Sequence, residues 1–537
     1  MPRLVALLAA LVLVPAADLG ASPAGPSPDL PAAYRCALPT PDGAPDPGCR
    51  PHPAATAAAP RAPLPCEEVE GVDDRCEEWT LSRDPDPVGA APSQFPADLA
   101  LSPDGATVFL AFEEQAGLDP WESPSDWVIA AHDAETGAER WTVRVDDLAA
   151  QSFPAGVAVS PDGATVYVAG ADREAFGDGR SATVVVALNA GTGDERWRAR
   201  YDGSEGIDNP RTIAADAGGV YVAVIGAGVG GNGDLDYVLW ALEPDSGAER
   251  FATRWSGIGD GRVDTPLDLA LSPDGGAAYL TGWSAGPGEY NVDFGTVAFV
   301  TRGPDAGAVA WEARYDGEQG QGPDQAYAVE ADDERVYVTG YSNDLDAGPP
   351  FAVNYEFATV AYDAATGETA WESRRVWEGD NWSAPTEMAL AGGRVVVAGM
   401  TDDREDADYA IQAMKAGTGE EEWTDRYELE GHDFEAPLAI AATSAAVYVT
   451  GISSSSTTSL LLLGQGTIAD QATVAYRAAT GDRLWVARYN DTGYDDDAAV
   501  GIAVAPGGRH VVTMAQLVRN VEVDQDFYDV GLAAYAG

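Results

Sequence analysis

Short apolar runs alternate with Gly-, Pro- and Asp-rich breaks along most of the chain, and none of the runs has helical spacing. The first full set begins with Pro96-Ala97-Asp98-Leu99-Ala100-Leu101, a turn at Ser102-Pro103-Asp104-Gly105, and Thr107 to Phe112. A long polar stretch to Asp126 follows, then Trp127 to Ala131, a turn ending in Thr136-Gly137, and Trp141 to Arg144. These segments read as four short strands, a to d. Pro fixes φ in the turns, and Asp-Gly supplies the side-chain hydrogen bond and the positive φ that a tight hairpin needs. Runs such as Val166-Tyr167-Val168, Val336-Tyr337-Val338 and Val447-Tyr448-Val449 are β-branched and aromatic, as a strand sandwiched between two sheets requires.

The set recurs. Gly stands four residues before a large aromatic at Gly137/Trp141, Gly193/Trp197, Gly247/Phe251, Gly307/Trp311, Gly367/Trp371, Gly419/Trp423 and Gly481/Trp485. The sequence then ends at Ala534-Tyr535-Ala536-Gly537, where the next copy reaches its own Gly. The missing aromatic strand lies at the other end, as Glu77-Glu78-Trp79-Thr80-Leu81. Strand d therefore occurs at Trp79, Trp141, Trp197, Phe251, Trp311, Trp371, Trp423 and Trp485. Strand a occurs near Leu99, Val157, Ile213, Leu269, Ala328, Met388, Ile440 and Ile502, which also makes eight. Repeats of this length indicate a closed ring. The expected fold is all-β, an eight-bladed β-propeller of four-stranded blades over 76–537. Its last blade takes strands a to c from the C-terminus and strand d from the N-terminus, a 3+1 closure. Length alone, 537 residues, suggests several domains, and the repeat overrides it.

Arg3, the apolar run Leu4 to Val14 and the small residues around Ala16 to Ala21 read as a secretory signal peptide over 1–21, too short to serve as a membrane span. Residues 22–75 are rich in Pro and Ala and have no core-forming pattern. All the cysteines, Cys36, Cys49, Cys66 and Cys76, precede the first complete repeat, and an even number in an exported chain favours disulfides over a zinc site. Cys36–Cys49 with Cys66–Cys76 is the simplest of the three pairings. The expected product is secreted, extracellular or at the cell surface, and monomeric.

The formal charge of −56 opposes binding to nucleic acid or anionic lipid. Solubility accounts for most of it, and clustered carboxylates leave room for calcium. The loops joining b to c and d to a share one face and are long and individual, whereas the a–b and c–d turns are short and repetitive. Ligand binding is expected on the variable face. There, Asp402, Asp403 and Asp406 are the candidate metal ligands, with Asp495-Asp496-Asp497 as a second cluster, although neither fits an EF-hand pattern. Asp408 recurs as Asp126, Asp236, Asp293, Glu356, Asp470 and Asp529 in other blades, which favours a scaffold duty such as capping backbone N–H groups. His132, His432 and His510 lack a Ser or Cys at catalytic spacing. Asn381-Trp382-Ser383 and Asn490-Asp491-Thr492 fit the glycosylation sequon. Leu460 to Leu463 either extend a strand or form an apolar patch.

Ala361 to Trp371 has the form A-x-D-x-x-T-G-x-x-x-W, as has Ala131 to Trp141; Ala187 to Trp197 departs by Asn189, and Ala241 to Phe251 loses the Trp. This resembles the tryptophan-docking repeat of pyrroloquinoline-quinone-type propellers, in which the strand-d Trp packs between blades. The Ser-Pro-Asp-Gly turns and Val-Tyr-Val-Thr-Gly strands also resemble bacterial surface repeats of the YVTN type. The resemblance implies either a non-catalytic binding or scaffold module for a protein or carbohydrate ligand, or a quinone-dependent alcohol or sugar dehydrogenase. The chain has no vicinal Cys pair and no C-x-x-C-H, so the first reading is the expectation, with no cofactor beyond a possible calcium ion.

Overall fold

The computed structural model describes residues 77–82, 93–115, 124–149, 151–173, 180–203, 206–227, 235–257, 263–286, 292–317, 323–344, 354–377, 382–402, 407–428, 434–454, 469–489, 496–522 and 525–537. Every regular element among them is a strand. Blade one has strands a to d at Ser93–Leu101, Thr107–Gln115, Ser125–Asp133 and Glu139–Val145. Blade two follows at Phe153–Val159, Thr165–Asp172, Ala182–Asn189 and Glu195–Tyr201. Blade three is Asp208–Ala215, Val220–Ala227, Leu235–Leu242 and Glu249–Trp255, and blade four Asp264–Leu271, Ala277–Ala285, Val292–Val300 and Val309–Tyr315. Blade five is Gln325–Ala331, Arg335–Asp344, Asn354–Asp363 and Thr369–Arg375. Blade six is Trp382–Leu390, Arg394–Asp402, Ala407–Lys415 and Glu421–Tyr427, and blade seven Phe434–Ala442, Ala446–Ser454, Ala469–Arg477 and Arg483–Tyr489. Blade eight takes Asp496–Val504, His510–Glu522 and Gln525–Ala536, and its outer strand is Glu77–Ser82 from the other end of the chain.

That outer strand pairs antiparallel with Gln525–Ala536, Thr80 opposite Ala533 and Leu81 opposite Leu532. Strand a of every blade lies against strand a of the next, and that of blade eight against that of blade one, so the innermost strands form a complete circle. One core cluster spans the junction, bringing Trp79, Leu81 and Leu99 together with Val512, Met514 and Leu532. The Val-Tyr-Val runs are buried on both faces, Val336 and Tyr337 at 0% exposure, because each sheet packs between two others.

The strands outrun their apolar cores. Strand b of blade one continues past Phe112 through Glu113, Glu114 and Gln115, all buried. Strand a carries a bulge at one position in every blade, between Pro96 and Asp98, Pro154 and Gly156, Pro210 and Thr212, and onward to Ala499 and Gly501. A bulge bends the strand and re-aims the next side chain, and Pro is tolerated there because its missing N–H has no ladder partner to lose.

Candidate functional site

Two belts of polar residues recur around the ring, and the first lies at the loop end of the blades. The first explains the recurring carboxylate at the start of strand c. Strand d carries Trp-x-x-Arg or Phe-x-x-Arg in blades one to seven, and the Arg stands diagonally across from that carboxylate. Arg144 meets Asp126 at 2.9 Å, Arg254 meets Asp236 at 2.7 Å, Arg426 meets Asp408 at 2.7 Å and Arg488 meets Asp470 at 2.6 Å. Arg314 with Asp293 and Arg374 with Glu356 complete the series. Blade two has Ala182 at the carboxylate position, and Arg200 pairs instead with Asp172 opposite it on strand b. In blade eight Ser82 stands at the Arg position. The carboxylates therefore serve the scaffold as expected, but their partner is a guanidinium rather than the backbone N–H groups anticipated from sequence. A charge-assisted bond satisfies a buried carboxylate more strongly than neutral donors do.

The second belt lines the axis. Just after the strand-a bulge, Asp98 accepts from the amide of Val157 in the next blade at 2.7 Å and from Leu99 at 2.8 Å. Asp268 repeats this with Val329 and Leu269, each at 2.8 Å. Burial pushes Asp98 up to about 6 and Glu330 up to about 7. Glu387 is raised well above the usual range, first by burial, then by Asp268, Glu330 and, more weakly, Asp98. Those three belong to blades four, five and one, so the four carboxylates share the central channel.

Among the candidates from sequence, Asp402 ends strand b of blade six, and Asp403 and Asp406 lie outside the described residues. So do Cys36, Cys49, Cys66 and Cys76, His432, Asn381, Asn490, Asp495 and Leu460 to Leu463. Asp497 is buried at the start of strand a in blade eight. His132 is fully buried in strand c of blade one, with Nδ1 at 3.0 Å from the carbonyl of Gly137. His510 opens strand b of blade eight.

A third constellation was not anticipated. Asp293 at the start of strand c in blade four, Asp316 just after strand d, and Asp324 just before strand a of blade five place one carboxylate oxygen each within 4.8 Å of the others. Asp293 and Asp324 are 0% and 2% exposed. Sequence showed Asp293 only as a member of the recurring series; the Tyr315-Asp316-Gly317 step, which echoes Tyr201-Asp202-Gly203, was the available signal.

The chain belongs to the PQQ-like repeat family described as outer membrane protein assembly factor BamB, whose pattern matches residues 125–343 and 293–500. No curated protein matches the sequence. Among solved structures, a europium-containing methanol dehydrogenase shares 13% identity over 86% of this chain and 93% of its own, with a TM-score of 0.49. Sqt1 from Chaetomium thermophilum shares 12% over 84% and 97%, with a TM-score of 0.48. Quinohemoprotein alcohol dehydrogenase from Comamonas testosteroni shares 12% over 83% and 76%, with a TM-score of 0.44. Among the described residues no helix is long and apolar enough to cross a membrane.

Proposed function

We propose that the protein is a secreted, non-catalytic binding module that takes a protein ligand on its loop face. One observation carries this reading: the two ends of the ring are built to different rules. The a–b turns are uniformly short, from three residues at 332–334 to five at 102–106. The b–c connections range from two residues at 523–524 to fourteen at 455–468. Individual loops on a rigid, self-satisfied frame suit recognition. The family description, an outer membrane protein assembly factor, agrees with a role in holding other proteins.

The net charge of −56 favours a cationic segment.

The reading is tested by titrating the full chain with Arg-rich peptides and with neutral oligosaccharides, and by assaying alcohol and sugar oxidation with added quinone and calcium. Peptide binding that weakens with salt supports it. Quinone-dependent turnover contradicts it.

A further inference from the structure

We propose that Asp293, Asp316 and Asp324 form a divalent-cation site between blades four and five, with calcium as the best chemical match. Two oxygens that ligate one calcium ion at about 2.4 Å are at most about 4.8 Å apart. The three carboxylates already satisfy that limit.

The partner ledger points the same way. Asp293 Oδ2 accepts from Arg314, and Oδ1 has no hydrogen-bond partner although the residue is 0% exposed. Asp316 Oδ1 is buried without a partner as well. Asp324 accepts from the Asn343 amide at 3.2 Å, while its own amide donates to the Val292 carbonyl at 2.7 Å, fixing it beside strand c of blade four. Arg314 is further held by Ser284, through Oγ and the carbonyl, both at 3.1 Å. Three carboxylates against one guanidinium leave two negative charges, which a divalent ion neutralises. The donors are all oxygen, and their irregular arrangement suits calcium better than the octahedral demand of magnesium. Gly317, at φ +32°, keeps the space open: a Cβ there would stand 2.9 Å from Ser342 Oγ and 3.3 Å from Asp324 Oδ1.

The ring supplies its own comparison. Between blades six and seven the corresponding positions are Asp408, Glu428 and Glu435, also all acidic. There Glu428 is exposed and Ser453 Oγ donates to Glu435 at 3.0 Å. Among the described residues, only the junction of blades four and five brings three such oxygens together.

The test is calorimetric titration of the EDTA-treated full chain with calcium chloride in about 0.15 M sodium chloride, the range where surface charge is well screened. One calcium ion per chain is expected. Asp316→Asn should weaken binding at least tenfold, yet melt in EDTA at or above the temperature of the parent, because repulsion is relieved. Glu428→Gln and the pair Asp403→Asn/Asp406→Asn should bind as the parent does. Absence of calcium heat above a sodium chloride blank, unchanged binding in Asp316→Asn, or loss of binding in Asp403→Asn/Asp406→Asn instead would each overturn the proposal.

Discussion

The indole N–H of Trp79 donates to the carbonyl of Ala134 at 3.1 Å, joining the N-terminal outer strand of blade eight to the c–d turn of blade one. The Trp79 ring also covers Gly137, where an added Cβ would come within 2.6 Å of it. The arrangement recurs around the ring: Trp141 donates to Ala190 at 2.9 Å, Trp371 to Ala416 at 2.8 Å and Trp423 to Ala478 at 2.9 Å. Gly137, Gly193, Gly247, Gly367, Gly419 and Gly481 are thus each the landing site for the previous blade's Trp, and Gly307 is that for Phe251. A φ near +70° in Gly137, Gly193 and Gly419 adds a second reason for Gly.

Trp371→Phe should remove one such bond, leave the Ala416 carbonyl unpaired and destabilise the ring by about 1 kcal/mol. Blade three supplies a natural control, since Phe251 has no N–H and Thr253 Oγ1 bonds Gly307 O at 2.7 Å instead. Thr253→Val should cost a similar amount. Gly367→Ala should cost more, about 1–3 kcal/mol, because φ is +73° and the new Cβ would lie 2.7 Å from Trp311. Urea denaturation checks all three, and a neutral Gly367→Ala would contradict the docking role.

The arginine belt should behave as coupled pairs. Arg254→Met takes the guanidinium away from Asp236, which is only 3% exposed, and should destabilise by roughly 3 kcal/mol. Asp236→Leu in the same chain should recover most of that loss, because no unpaired buried charge remains. Simple additivity in the double-mutant cycle would mean that the pairs are incidental.

The channel carboxylates set an unusual pH dependence. Asp98 and Glu330 titrate near 6 and 7 when folded, against about 4 when unfolded. The folded chain therefore holds protons that the unfolded chain has released. The associated stability is fully present below about pH 4 and is lost as pH rises through about 6 to 7. In EDTA, the melting temperature should be higher at pH 5.5 than at pH 8.5 by at least about 2 °C. Glu387→Gln should raise the value at pH 8.5. Scanning calorimetry showing the opposite order would contradict the shared channel.

Much of the ring was legible in sequence because its signals are local and repeated. The Gly-to-Trp spacing, the Asp-Gly turns and the orphan strand at Trp79 each report one register position, and repetition multiplies them. Strand ends were less legible: hydrophobic patterning stops at Phe112, whereas pairing to the next strand carries Glu113 to Gln115 onward. Trp-x-x-Arg was visible but silent, since its meaning depends on a diagonal neighbour in strand c. The Asp293, Asp316 and Asp324 cluster draws on two blades, and sequence separation of 31 residues between Asp293 and Asp324 gives no hint of contact.

Closure of the ring by Glu77–Ser82 is tested most directly by comparing melting curves of two shortened chains with the full chain. Removing residues 22–60, which precede the first described strand, should leave the melting temperature unchanged. Removing residues 1–84 takes away Trp79 and Leu81, which are 3% and 2% exposed, and uncovers a long edge on Gln525–Ala536. The result expected is a fall of the single cooperative transition for the whole ring, together with aggregation. An unchanged transition after loss of 1–84 would contradict the shared blade.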